Sequence, residues 1–227
     1  MKKIVIIGIG IAAKQIYTLV TYHNLYEVVG FAVNKEYITS DSFLGFPVYD
    51  LECLNEKVDG EFGVFVAIQW RHLNADRKKV FEQCCSLGYQ FVNIISPTAV
   101  VRSEIAGHNC LIDDFVVVLN DVVIDDDVYI KVNALIGDCT HIESHVFIGV
   151  HAVVAGGVTI GEQSFVGINA SVLDTTKIGK KCIVSSGSIV KRNMPDFSRW
   201  VEDTCNSIKQ YTEEEVEEKL VPSKNIR

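Results

Sequence analysis

Stepping along the chain six residues at a time from Ile112 lands on Val118, Ile124, Ile130, Ile136, Ile142, Ile148, Val154, Ile160, Val166, Val172, Ile178, Val184 and Val190. Every stop is Ile or Val, and the register never slips. Two positions before many of these stops sits a small residue, as at Cys110, Ala134, Thr140, Ala152, Ser164, Ala170, Thr176, Cys182 and Ser188. Glycine often follows the stop, at Gly137, Gly149, Gly161, Gly167 and Gly179, where the turning chain is expected to have no room for a Cβ. A strict hexapeptide period of this kind predicts a parallel β-helix. Each hexad forms one short face, three faces close a triangular coil, the β-branched residue fills the interior, and the small one fits the corner. Three hexads per coil give about 4.7 coils, each rising ~4.8 Å, and stacking supplies the stability.

The first 95 residues follow a different rule. KIVIIG, VVGFAV, FGVFVAI and FVNII read as four buried parallel strands. IAAKQIYTLVTYH carries helical spacing, and RHLNADRKKVFEQCCSLG reads as an amphipathic helix stopped by Gly88. Strands alternating with helices imply a small parallel sheet with right-handed crossovers, a Rossmann-like α/β domain. The six-residue period ends at KRNMP, where Pro195 breaks it. In the tail, TEEEVEEKL predicts a short C-terminal helix, with Thr212 as N-cap and Glu215 at the capping-box position. Three segments follow: residues 1–95 as the Rossmann-like domain, 96–194 as the β-helix, and 195–227 as a tail that caps the open coil end.

Composition narrows the partners. A net charge of −8 argues against a broad nucleic-acid surface, yet leaves room for an anion held locally by backbone N–H groups. The seven cysteines form no Cys-x-x-Cys pair, which removes zinc-ribbon and thioredoxin classes and fits a reducing cytoplasm. No apolar run reaches the ~20 residues a membrane span needs. The opening MKKIVIIGIGIAA has the outline of a secretory signal, but Lys14 and Gln15 follow at once with no cleavage pattern, so a buried strand and turn is expected.

The stretches VIIGIGIAAK, GFAVN and VFIGVHAVVAGGVTIGEQSFVGINASV resemble those of the left-handed β-helix acyltransferases that modify nucleotide-linked sugars in bacterial glycan synthesis. The resemblance runs to about Pro195. It implies a Rossmann-like domain that holds the sugar nucleotide, followed by a left-handed parallel β-helix that carries acyl transfer from acetyl-CoA or another acyl-CoA. It also implies a homotrimer, with acyl-CoA lying between neighbouring coils. No tightly bound cofactor and no metal are expected. Gly8 and Gly10 end a strand and open a helix, so backbone N–H groups and the positive helix end there suit the pyrophosphate of an NDP-sugar. Gly8, Gly10, Ile11 and Asn34 are the candidate nucleotide-sugar residues. A dehydrogenase reading fails because Asn34 stands where an acidic residue would hold the ribose, and because about 95 residues are short for a complete dinucleotide fold. The resemblance places acyl-CoA against Ala155, Gly156 and Gly167, with the Gly156 N–H donating to the thioester carbonyl.

One departure matters. The family's proton-accepting histidine stands four residues before an inward Ile, and counting back from Ile142 reaches Asp138. Three alternatives remain: Asp138 itself takes or directs the proton, His141 replaces the missing base, or catalysis is lost and the protein only binds sugar nucleotides. An amine that binds neutral needs little help from a base, whereas a hydroxyl needs a true one; N-acylation is therefore preferred over O-acylation. The six-residue phase disperses His108, His145 and His151, against a three-imidazole metal site, and predicts outward, interfacial positions for His145 and His151.

Overall fold

The computed structural model describes residues 2–201. In the N-terminal part, β1 (Lys3–Ile7), β2 (Glu27–Val33), β3 (Ser42–Phe43), β4 (Phe46–Asp50) and β5 (Phe62–Val66) form one sheet in the order β3-β4-β2-β1-β5. All pairings are parallel except the β3–β4 hairpin. Successive residues of β1 point to opposite faces. Ile4 and Ile6 therefore join one core with Ala13, Ile16 and Val20 of α1 (Ile11–Tyr22). Val5 and Ile7 join the other, with Leu54 of α2 (Leu54–Lys57) and with Phe81 and Cys84 of α3 (Ala75–Ser86). Gly88 ends the last helix at φ 73°, as a left-handed C′ position requires.

FVNII is not a fourth strand of this sheet. Phe91 makes a single bridge to Val64, and Ile94–Ile95 then pairs with Leu111–Ile112 of the coil. An apolar run by itself does not say which sheet it pairs with. The β3–β4 hairpin, too short to carry a period, also escapes the pattern.

From Ile94 onward, two-residue parallel strands stack into three faces of seven, six and four strands, every pairing offset by the length of one coil. All fourteen predicted inward residues from Ile112 to Val190 are at most 2% exposed. The turn residue of each hexad is left-handed: from Asn109 to Gly187, every sixth residue has φ between 51° and 72°. Most of these are not glycine; Asn, Asp and His recur, as their tolerance of that conformation allows. The glycines that follow the inward residue serve another purpose. A Cβ on Gly137 would lie 2.5 Å from the Ala155 carbonyl carbon of the next coil, so close stacking, not the turn, requires glycine there. The predicted helix around Thr212 and Glu215 lies outside the described residues.

Candidate functional site

A cavity of about 1130 Å³ opens between the start of α1, the loop after β5 and the first coil face. Its floor is an outward row in cross-strand register, in which Tyr129, Phe147 and Phe165 succeed one another up the coil. The Phe147 and Phe165 rings stack with centroids 5.2 Å apart and 10° between planes, and Trp70 closes over Phe165 at 5.1 Å. Such faces suit a base or the apolar side of a sugar ring. Lys131 and Arg199 bring positive charge to the same lining.

The loop that carries Trp70 is unusual. His72, Leu73 and Asn74 are consecutively left-handed, at φ 48°, 52° and 64°. Non-glycine residues hold that conformation only when their surroundings fix it. Here the Gln163 side chain donates to the Leu73 carbonyl (3.0 Å), and buried Asn74 reaches the Ser164 carbonyl (3.5 Å). Below them, fully buried Arg77 donates from Nε to Asp127 Oδ2 (2.9 Å) and from Nη2 to the carbonyls of Asp127, His145 and Val146. Its guanidinium lies 4.1 Å above the Tyr129 ring. Asp127 also accepts from Asn109 Nδ2 (2.7 Å) and shares a hydrogen bond with His145 Nδ1 (2.9 Å). His145 is thus buried beneath α3 and is not the outward, interfacial residue that phase alone predicts; the docked domain covers it. His151 is exposed beside Asn133.

The predicted nucleotide residues separate. A Cβ on Gly8 would lie 2.7 Å from the Ala67 carbonyl oxygen, so close approach of β1 and β5 accounts for that glycine. Gly10 caps α1 in open space, no side chain caps the helix start, and Ala12 of the same turn lines the cavity. Ile11 is exposed beside it. Asn34 is engaged elsewhere, exchanging two hydrogen bonds with Gln83 (3.1 and 2.9 Å). Trp70 and the aromatic row were missed from sequence, although aromatic residues eighteen apart at 129, 147 and 165 were there to be seen.

On the side of the coil away from this cavity, the corner between the second and third faces stacks Asn120, Asp138, Gly156 and Asp174. Asp138 is exposed and accepts from the Asn120 backbone N–H (2.9 Å) and side-chain amide (2.8 Å). These two donors, the backbone one first, hold its carboxyl below the usual carboxylate range. Gly156 sits one coil above. A Cβ there would meet nothing nearer than 3.4 Å, so packing does not demand glycine, in contrast to Gly137. The Gly156 N–H donates to Asp174 Oδ1 at 3.0 Å. Gly167 is another packing glycine, since its Cβ would lie 2.5 Å from the Ser186 nitrogen. Ala155 is half-buried beside Gly156. His141 projects outward from the third face, and its Nε2 shares a 3.0 Å hydrogen bond with Asp125 Oδ2. Among the described residues no group of three His, Cys, Asp or Glu is placed to hold a metal ion.

Fold and site together define a hexapeptide-repeat β-helix that carries an α/β domain on one face and an open glycine corner on the far side. A model of the hexapeptide repeat of succinyl-transferase matches residues 140–166 and 157–192. A variant of perosamine N-acetyltransferase from Caulobacter crescentus, in complex with CoA and GDP-perosamine, is 28% identical with a TM-score of 0.77 over 88% of this chain and 93% of its own. The acetyltransferase domain of PglB from Neisseria gonorrhoeae, in complex with acetyl coenzyme A, is 25% identical with a TM-score of 0.76 over 87% and 95%. WeeI from Acinetobacter baumannii, 17% identical with a TM-score of 0.69 over 88% and 96%, shares the fold. No curated protein matches the sequence. The resemblance to the left-handed β-helix sugar acyltransferases, read first from the repeat, is the one that the solved structures return.

Proposed function

We propose that the protein is an acyl-CoA-dependent N-acyltransferase, using acetyl-CoA to acylate the amine of a nucleotide-linked sugar in the cytoplasm. The observation that carries this is the likeness to N-acetyltransferases across both halves of the chain, not over the repeat alone. Residues 1–95 act as a Rossmann-like nucleotide-sugar domain, in which Gly10 and Ile11 present the uncapped start of α1 to the diphosphate and the aromatic row supports the rest. Asn34 and Gly8 shape that domain from behind. Residues 96–194 are the catalytic left-handed coil and 195–227 its tail.

The amine nitrogen attacks the thioester carbonyl carbon, forming a C–N bond. The oxygen gains charge and accepts from the Gly156 N–H. Collapse breaks the C–S bond, and CoA leaves as thiolate to collect a proton while the amine loses one. Asp138, already satisfied by Asn120, is a poor proton acceptor near neutrality and instead braces the corner. His141, oriented by Asp125, takes the accepting role.

A single chain separates these parts: the cavity lies on the first face and Gly156 at the opposite corner. A neighbouring copy would bring its corner to the cavity, as a homotrimer does. The outward row Val100, Val117, Leu135 and Val153, continued by Ser171 and Ile189, gives the second face a largely apolar stripe to cover, with Val100 48% exposed.

Thiol release from acetyl-CoA with UDP-, dTDP- and GDP-linked amino sugars tests the reaction. Nucleotide-sugar binding without release from any of them would leave a binding protein. His141→Ala should lower kcat by about 10²-fold or more, the loss expected when a proton acceptor is removed. A full rate in this variant would take the base role from His141.

A further inference from the structure

The Gly156 N–H has one hydrogen to give, and in this structure Asp174 has it. Carboxylates one coil up cap backbone N–H groups elsewhere on the coil, Asp138 at Asn120 in the same row and Asp126 at His108 at another corner. At those places the cap merely satisfies an exposed turn. Gly156 differs because no backbone contact requires glycine there, so a small residue leaves space in front of an amide that a carboxylate already fills. We propose that Asp174 is a built-in occupant of the acyl-carbonyl position, which must swing aside before a thioester oxygen can use the Gly156 N–H. This rests on Gly156 being the carbonyl donor. Asp174 is exposed, and among the described residues its carboxylate accepts from the Gly156 N–H at the surface, so displacement needs a side-chain rotation and no opening of the coil. An oxyanion at the same point would also lie beside a full negative charge, so the carboxylate opposes the transition state until it leaves.

The consequence separates acyl donor from product. Acetyl-CoA and CoA carry the same nucleotide and pantetheine, and only acetyl-CoA has a carbonyl to compete with Asp174. In Asp174→Ala, binding of acetyl-CoA should tighten relative to CoA on the order of 10- to 100-fold, the range for freeing a charge-assisted hydrogen bond. Asp174→Asn keeps the shape with a weaker, neutral acceptor and should fall between, so it decides the matter should the alanine variant fail to fold. Calorimetric titration of each variant with acetyl-CoA and with CoA gives the ratio directly. Equal tightening for both ligands would mean that Asp174 only repels CoA phosphates, and would overturn the proposal; no change for either would do the same. The Gly156 amide resonance in glycine-labelled protein tells this failure from failure of the underlying assignment. If it moves with acetyl-CoA but not CoA while the variants change nothing, Gly156 remains the donor and Asp174 is a plain turn cap. If it responds to neither ligand, the donor assignment falls and the occupant with it.

Discussion

Replacing Arg77 with Met should be one of the most damaging single substitutions in the chain, because it strands a charge. The guanidinium is fully buried, as is its partner Asp127. Met retains much of the stem's volume but gives up the guanidinium's place over the Tyr129 ring, so the loss is mainly electrostatic. Five acceptors lose a donor: the Asp127 carboxylate, the Asn74 side-chain oxygen and the carbonyls of Asp127, His145 and Val146. Asn109 and His145 still face the carboxylate but do not replace a full positive charge. Breaking one side of a buried pair costs ~3–5 kcal/mol, against ~0–1 kcal/mol for an exposed pair. Urea unfolding at fixed protein concentration, which holds any assembly constant, measures the difference. Adding Asp127→Asn to Arg77→Met should recover part of the loss, since an amide in that place carries no stranded charge. Because Arg77 underlies the left-handed loop, Trp70 fluorescence should change even in folded variant. A cost under ~1 kcal/mol for Arg77→Met, or no recovery in the double variant, would refute the argument that this pair pins the α/β domain to the coil.

Two glycines twenty residues or less apart should behave oppositely. Gly137→Ala drives a methyl to 2.5 Å from the next coil and should lower stability by ~1–3 kcal/mol or more, whereas Gly156→Ala, whose methyl meets its nearest neighbour at an ordinary 3.4 Å, should fold normally and raise the KM for acetyl-CoA. Exposed Cys139 adjoins Asp138, so saturating acetyl-CoA should slow its alkylation, read by peptide mass spectrometry; Cys84 and Cys110, buried with thiols pushed up to about 12, should stay unmodified in the folded protein. Asp138 has a folded-state pKa below its unfolded value, so its contribution is present above about pH 4 and is lost as pH falls through the lowered value. The melting-temperature gap between wild type and Asp138→Asn should therefore shrink on acidification.

How much of this the sequence carried depends on whether a position repeats. Every inward residue of the coil was legible because Ile and Val at strict spacing have one physical explanation. The direction of an outward residue was equally legible, but not what it meets. His145 has the phase of a solvent-facing turn and lies buried, since the α/β domain docks on that corner through Arg77. Nothing local to DRKK or ESHV records that contact, which joins residues 68 apart in sequence. The glycines were legible in part. Gly137 and Gly167 directly follow an inward residue, the phase at which no room for a Cβ was expected, and Gly156 lies one place further on; the distance to the coil above shows that packing requires the first two and not the third.

That distinction also bears on what replaces the missing histidine. A ladder of side chains eighteen residues apart couples each corner residue to its neighbours above and below. Asp138 answers downward to Asn120 and has no side chain above it, because Gly156 has none to offer. Asp174 answers downward to Gly156. The corner therefore holds two carboxylates around one backbone donor, a field that disfavours an anionic nucleophile and tolerates a neutral amine. A sugar alkoxide approaching the same carbonyl would still meet Asp138 after Asp174 has swung aside. The electrostatics of the corner thus argue for nitrogen as the nucleophile independently of any resemblance. Neutralising both positions, as Asp138→Asn with Asp174→Asn, should relax that preference, and a hydroxyl acceptor assayed beside the amine would show it.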